Sequence, residues 1–216
     1  MDNGSAGQGA EAGPNQPNAP QDPYNAAADY GRSSFDRTHA LRLSGLYELP
    51  GRGAILGGWR LTGVYTRTTG QPITLFSGFD RSGLGGNSVR PNLAPGASGN
   101  PILGGPVQYF DPSVFLLQQL GTIGNLGRST LSGPGLSSMD AGLLKNFRVT
   151  KISDAFNVQF RAELFNLPNH PNWAQPNNSV FLSGVGANGT RNPNAGRVTN
   201  IIGSSRQIQF GLRIAF

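Results

Sequence analysis

Between His39 and Leu49 the chain alternates, with Leu41, Leu43, Tyr47 and Leu49 on one parity and Arg42, Ser44 and Glu48 on the other. A period of two sends the two sets to opposite faces of an extended backbone, which predicts a strand. A second alternation follows, Trp59, Leu61 and Tyr65 against Arg60, Thr62, Thr66 and Thr68, and its extended character continues towards Phe76. The third, Met139, Ala141 and Leu143 against Asp140 and Gly142, is the weakest of the set. In the fourth, Phe156, Val158, Phe160, Ala162 and Leu164 oppose Asn157, Gln159, Arg161 and Glu163. The chain ends on the clearest run, Ile208, Phe210, Leu212, Ile214 and Phe216 against Gln207, Gln209, Gly211, Arg213 and Ala215. Strands are therefore expected near 37–49, 58–76, 138–147, 154–166 and 205–216, in an antiparallel meander.

The segments between these runs are of two kinds. Pro50–Gly58 and Arg148–Asp154 are short turns, whereas 77–137 and 168–204 are long loops punctuated by Gly85-Gly86-Asn87, Pro106, Pro112 and Gly133-Pro134-Gly135. A short helical turn is expected at Asp111 to Leu120. In a meander this order sorts short turns to one end and long loops to the other, as in outer-membrane barrels. Three of the runs hold their character for eleven residues, 39–49, 155–165 and 206–216. A tilted strand needs about 9–11 residues to cross a bilayer, against about 5–6 in a soluble sheet. Residues 1–36 open with Gly, Ala, Asn, Gln and Pro and are expected to be a disordered or loop lead-in.

Composition narrows the class. Gly 32 and Pro 16 with only 13% charged residues is a poor composition for a helical enzyme and a rich one for turns. The absence of cysteine removes disulfides and thiolate metal sites. The net charge of +6 rests on arginines spread singly from Arg32 to Arg213, with only Lys145 and Lys151 beside them, so no nucleic-acid partner is expected. No apolar run of about 18 residues and no export signal occur. Combined with a barrel reading, this leads to the expectation that the chain is a fragment of a longer precursor.

No constellation of catalytic residues emerges. His39 and His170 are the two histidines, too few for a metal site without cysteine. Gly121 to Gly127 looks like a phosphate cradle but lacks the lysine-serine/threonine ending and reads as turn glycine. Asp80, Asp111, Asp140 and Glu163 form no pair; Asp140 and Glu163 share the polar parity, where Arg161 and Arg42 offer ladder partners. No catalytic residue, cofactor, metal site or enzymatic activity is expected. Phe79, Tyr109, Phe115 and Trp173 either contact a ligand, pack the loops upon themselves or sit in the interfacial aromatic girdle.

The terminal order Gln209, Gly211, Ile214, Phe216 resembles the C-terminal signal of outer-membrane barrels: a polar residue, glycine, a hydrophobic residue and a final aromatic. The resemblance implies recognition by the barrel-assembly machinery. A wider set of segments resembles the TonB-dependent receptors of the Oar-like type, which carry a carboxypeptidase regulatory-like domain. These are Ser34-Phe35-Asp36-Arg37-Thr38-His39, Tyr47-Glu48-Leu49-Pro50, Leu56-Gly57-Gly58-Trp59-Arg60-Leu61 and Thr69-Gly70-Gln71-Pro72. Gly124 to Leu131, Leu144-Lys145-Asn146-Phe147, Gln159 to Asn166 and Asn169-His170-Pro171 continue the match. This resemblance implies the C-terminal part of a 22-stranded barrel in the cell outer membrane of Gram-negative type. It also implies a plug domain, import of an unidentified ligand, and coupling to the TonB complex through a part not in this chain. Outer-membrane lipid would then be a partner as well. The rival reading is a soluble all-β carbohydrate-binding or adhesion module, which requires both faces of the sheet to find cover within these residues.

Overall fold

A computed structural model of the chain describes residues 20–85, 89–148, 156–184 and 189–216. Its contacts divide into two compact units, each taken by itself below.

The first comprises 39–69, 136–172 and 202–216 and is built on five long strands. They are β1 (Ala40–Glu48), β2 (Trp59–Thr68), β3 (Leu136–Arg148), β4 (Asn157–Phe165) and β5 (Gln207–Ala215). They hydrogen-bond in chain order, every neighbouring pair antiparallel, so β1 and β5 are the edges. Register decides what this sheet is. Leu43 lies opposite Tyr65, Tyr65 opposite Met139, Leu143 opposite Ala162 and Ala162 opposite Phe210. Cross-strand partners share a face, so the apolar parity of every strand arrives on the same side. A slip of one residue in any ladder would turn one strand inside out.

That apolar side is open: Leu43, Tyr47, Phe210 and Leu212 are all more than half exposed. Trp59 meets Phe160 edge-on, and Phe160 stacks on Phe210, so an aromatic row crosses β2, β4 and β5. Two charged residues share this face, Arg67 opposite Leu41 towards the long-connection end and Lys145 opposite Trp59 towards the other; Lys145 is the covered one. It is buried, with its ammonium over the Trp59 and Phe147 rings and donating to the Ile55 carbonyl of a short helical turn, Gly53–Leu56, in the β1–β2 connection.

Strand limits differ from the expectation at two places. The second strand stops at Thr68 instead of continuing to Phe76; Pro72–Ile73 pairs with Leu131–Ser132 in a separate ladder. Proline lacks the N–H that an interior strand must donate, which favours the break. The third strand is the longest, Leu136–Arg148, although its alternation was the weakest. Pairing on both sides by β2 and β4 compensates for its small residues. Gly142 is required there, since a Cβ would lie 2.6 Å from Thr62 Oγ1. The expected lead-in over 1–36 falls outside the described residues up to 19.

The second unit comprises 1–38, 70–135 and 173–201. The long segments read as loops are here a folded body with its own core, including Ile73, Leu75, Phe110, Phe115, Val180 and Phe181. Phe110 and Phe115 meet edge-on at 6.1 Å, and Tyr109 lies beside them. Only Pro112–Val114 of the expected helical turn is helical; Asp111 caps it by accepting from Ser113 N, and the chain then extends through Phe115–Leu116.

Residues 20–36 are also not a free lead-in. Asp29 is buried and paired with the buried guanidinium of Arg90. Arg90 Nε donates to Leu126 O at 2.7 Å and Nη2 to Ala28 O at 3.0 Å, while Arg90 N donates to Gln21 Oε1 at 2.7 Å. Gln21 N closes the ring by donating to Asp29 Oδ2 at 2.8 Å, and Gln21 Nε2 reaches Gly124 O at 3.0 Å. Gly124 permits this crossing: a Cβ there would lie 1.8 Å from Arg90 O. Of the glycines in 121–127 it is Gly124 that lets two backbones approach, while Gly121 takes a positive φ with open space beside it.

Removing one partner of a buried pair leaves a charge in low dielectric, so Arg90→Met is expected to destabilise this unit by about 3–5 kcal/mol. Restoring neutrality with Asp29→Asn in the same chain should recover part of that loss, read by limited proteolysis in denaturant. An equal or larger loss in the double variant would assign the effect to shape instead of charge.

Asp80 gives a second expectation. Its Oδ1 accepts from Ser82 Oγ at 2.7 Å, Ser82 N at 2.8 Å and Gly83 N at 3.2 Å, and its Oδ2 from Gly85 N at 2.8 Å. The Ser82 hydroxyl, helped by the three backbone amides, lowers the carboxyl pKa below the usual value against a smaller cost of burial. A lowered folded value contributes stability that is present above the unfolded pKa and is lost as pH falls through the folded one. Hydrogen exchange at the Gly85 amide should therefore accelerate, beyond its intrinsic pH dependence, only in acid below the ordinary aspartate range, and Asp80→Asn should abolish that step.

Candidate functional site on the polar face of the sheet

The opposite side of the five strands carries Arg42, Glu48, Arg60, Thr62, Asp140, Arg161, Glu163, Gln209 and Arg213, as register requires. Charges here pair along and across strands. Arg60 Nε meets Glu48 Oε1 at 3.0 Å from directly opposite, and Arg161 Nη2 meets Glu163 Oε1 at 3.3 Å on the same strand. All four side chains are substantially exposed, so each pair is worth at most about 1 kcal/mol and serves to hold a polar wall. Asp140 and Glu163 share this face without facing one another; Glu163 lies opposite Gly142.

At the end of the sheet from which the two long connections leave, the wall opens into a cleft of about 380 Å³. Its origin is a mismatch of length. β4 ends at Phe165 while β3 continues to Leu136, and the last paired residues between them are Ala141 and Leu164. Asn166 then adopts φ 50°, turning the chain away, and its N–H is taken by Asp140 Oδ1 at 2.9 Å. Leu167 N donates to Met139 O at 2.7 Å. Asn166 organises the turn further: Oδ1 accepts from His170 N, and Nδ2 donates to His170 O and Ser204 O. Asn169, also at positive φ, accepts from Arg206 N and so aligns the entry to β5. Asparagine tolerates this left-handed conformation better than other residues, which is why two asparagines flank the turn.

The cleft is lined by Ser138, Asp140, Phe165, Asn172, Gln207 and Gln209, among others. No basic side chain lines it. Asp140 uses Oδ1 on Asn166, and Asn172 uses its Oδ1 on Ser137 N at 2.7 Å. Asp140 Oδ2, the Asn172 amide nitrogen and the side chains of Ser138, Gln207 and Gln209 make no hydrogen bond among the described residues, and all five residues line the cleft. Sequence patterning missed this cleft because half of it is made by the turn after β4; Phe165-Asn166 and the nearby Asn169 were the available signal, through the turn chemistry of asparagine.

The other candidates fall elsewhere. Gln209 and Gly211 lie on the polar face of β5 and Ile214 on its apolar face, while Phe216 follows the strand and is 96% exposed. Gln209, Gly211 and Ile214 therefore belong to an edge strand, with Phe216 just beyond it, and among the described residues no strand pairs with the outer side of that strand. His39 donates its backbone N–H to Thr69 Oγ1, and His170 contributes backbone groups to the Asn166 turn. Among the described residues no group of three metal-ligating side chains converges. Asp80 and Asp111 hold turns in the other unit, and Phe79, Tyr109 and Phe115 pack its core.

The family described as outer membrane beta barrel domain matches residues 1–209. No curated protein and no solved structure matches the chain. With in-phase strands of nine to thirteen residues and a face of exposed apolar side chains, the family and the fold agree: the chain belongs to the outer membrane beta barrel domain family, and the outer membrane is its place.

Proposed function

We propose that this chain forms part of the wall of a TonB-dependent transporter of the Oar-like type, which imports a ligand across the outer membrane of a Gram-negative cell. The observation that carries the wall reading is the phase of the five strands: an apolar face left exposed, a polar face behind it, and two edges that pair with no further strand among the described residues. In hydrocarbon every backbone N–H and C=O must be paired, which only a closed barrel achieves. Five strands do not close one, so further strands complete it. The resemblance of the segments from Ser34 to Pro171 to the Oar-like receptors supports a 22-stranded barrel of the plugged transporter class. In this reading the apolar face meets lipid, β5 with its terminal Phe216 is the strand handled by the barrel-assembly machinery, and the TonB complex acts through a plug domain. The protein has no catalytic role of its own. A soluble carbohydrate-binding or adhesion module fits less well, because among the described residues the apolar side chains of β1 and β5 find no cover.

The absence of cysteine allows a direct test by single-cysteine labelling of the protein in outer-membrane vesicles. A fluorophore at Phe210 or Leu212 should be blue-shifted and quenched by spin-labelled lipid; at Gln209 or Arg213 it should be quenched by iodide. Equal exposure of both parities to iodide would refute the wall reading. Leu212→Arg is expected to cost about 2–4 kcal/mol in folding into bilayers if it lies near the midplane, whereas Gln209→Arg on the other face should cost little.

Phe216→Ser should lower the amount of assembled protein in the outer membrane without changing its synthesis, as measured by fractionation and immunoblot. Unchanged assembly would sink the terminal-signal assignment. For the transporter reading, accumulation of the imported ligand should stop when a protonophore collapses the inner-membrane potential.

A further inference from the structure

We propose that the cleft at the long-connection end of the polar face is a binding site for a neutral saccharide, which names a substrate class for the transporter and rests on that reading of the wall. Three features of its lining point to this chemistry. The first is the character of its free polar groups. Gln207, Gln209 and the nitrogen of Asn172 are side-chain amides, and Ser138 is a hydroxyl. Amides offer donors and acceptors side by side, the complement of a hydroxyl that must both give and receive. Asp140 Oδ2 adds one charged acceptor, the stronger kind of hydrogen-bond partner for a hydroxyl.

The second feature is charge. With one carboxylate and no lysine or arginine in the lining, a phosphate, a carboxylate or another anion would enter against the local field. The third is the apolar part. Phe165 and Leu136 border the same space, giving the C–H face of a sugar ring a surface on which to lie. The volume of about 380 Å³ sits at the lower end of small-molecule sites, which run from about 300 to 1,000 Å³. Asp140 and Asn172 are held in place by their bonds to Asn166 N and Ser137 N, so two of the polar groups are oriented before any ligand arrives. A cationic ligand is the competing occupant, since Asp140 would attract an amine, and the test separates the two.

The experiment uses the full chain in lauryldimethylamine oxide, a detergent without a sugar head group, titrated calorimetrically with maltotriose, cellotriose and xylotriose, and with the tripeptide Gly-Gly-Lys amide. At least one trisaccharide is expected to bind with a Kd of about 1 mM or tighter. Asp140→Asn, which keeps an acceptor for Asn166 N, and Gln209→Ala, on an exposed edge, should each weaken that binding about tenfold by removing one good hydrogen bond. Gln159→Ala, towards the opposite end of the same face, should leave it unchanged.

Binding of the peptide amide in preference to every sugar, binding of no sugar, or sugar binding indifferent to both cleft variants overturns the proposal. The cysteine labelling keeps this separate from the wall reading. Alternating labels without sugar binding overturn the ligand assignment alone, whereas sugar binding without alternation overturns the wall.

Discussion

Everything in the sheet depends on one constraint, the phase of neighbouring strands. Each ladder could have been one residue out of step and still have made the same backbone hydrogen bonds. The cost would fall on side chains: a slipped β5 would set Phe210 and Leu212 among Arg161 and Glu163, and carry Arg213 to the apolar face. Burial of one such side chain is worth about 1.5–3 kcal/mol, so several per strand outweigh any local preference of the backbone. The apolar surround, once present, therefore selects the register, and the register in turn creates the polar wall. The cleft follows from the same ladders, because it opens where β4 runs out and β3 does not.

The folded loop unit answers a different problem. Long connections rich in glycine and proline gain little from hydrophobic burial per residue and lose much conformational entropy on ordering. This unit concentrates its burial in a small aromatic and aliphatic core and ties three distant segments together through Arg90, which touches Asp29, Ala28 and Leu126. The arrangement has a cost, since a buried ion pair adds little net stability. What it contributes is definition: a guanidinium with several partners cannot be satisfied by a shifted loop.

The strands were legible in the sequence because alternation is a local signal, and a one-sided environment enforces it along Ala40–Glu48 and Gln207–Ala215 alike. β3 was the hardest of these, as Gly142 and Ala141 carry little amphipathic signal; the small size of Gly142 is explained only by contact with Thr62 across the ladder. The loop unit was not legible. Its core residues, Ile73, Phe110, Phe115 and Phe181, are separated by tens of residues and follow no period, so nothing local distinguishes them from loop aromatics that stay exposed. The cleft lay between these cases, with Asp140, Gln207 and Gln209 on a polar parity that was read correctly, and Asn166 and Asn172 in a turn whose geometry no alternation describes.

Lys145 shows how the same logic treats an apparent violation. A lysine on the apolar parity would be costly at mid-membrane, yet it sits near the end of β3 served by the short connections, opposite Trp59. There its ammonium is covered by two rings and a carbonyl from the β1–β2 turn, so the charge meets quadrupoles and a dipole instead of hydrocarbon. Tryptophan and lysine both favour the boundary between hydrocarbon and water, the one for its amphipathic ring and the other for a long stem that carries its head towards the polar side. In a barrel wall this cluster would mark the membrane edge at the short-turn end. Only four residues, 141–144, separate Lys145 from Asp140 on β3, and four, 161–164, separate its partner Phe160 from Phe165 on β4, so the cleft begins about half of a membrane-crossing strand away from this cluster.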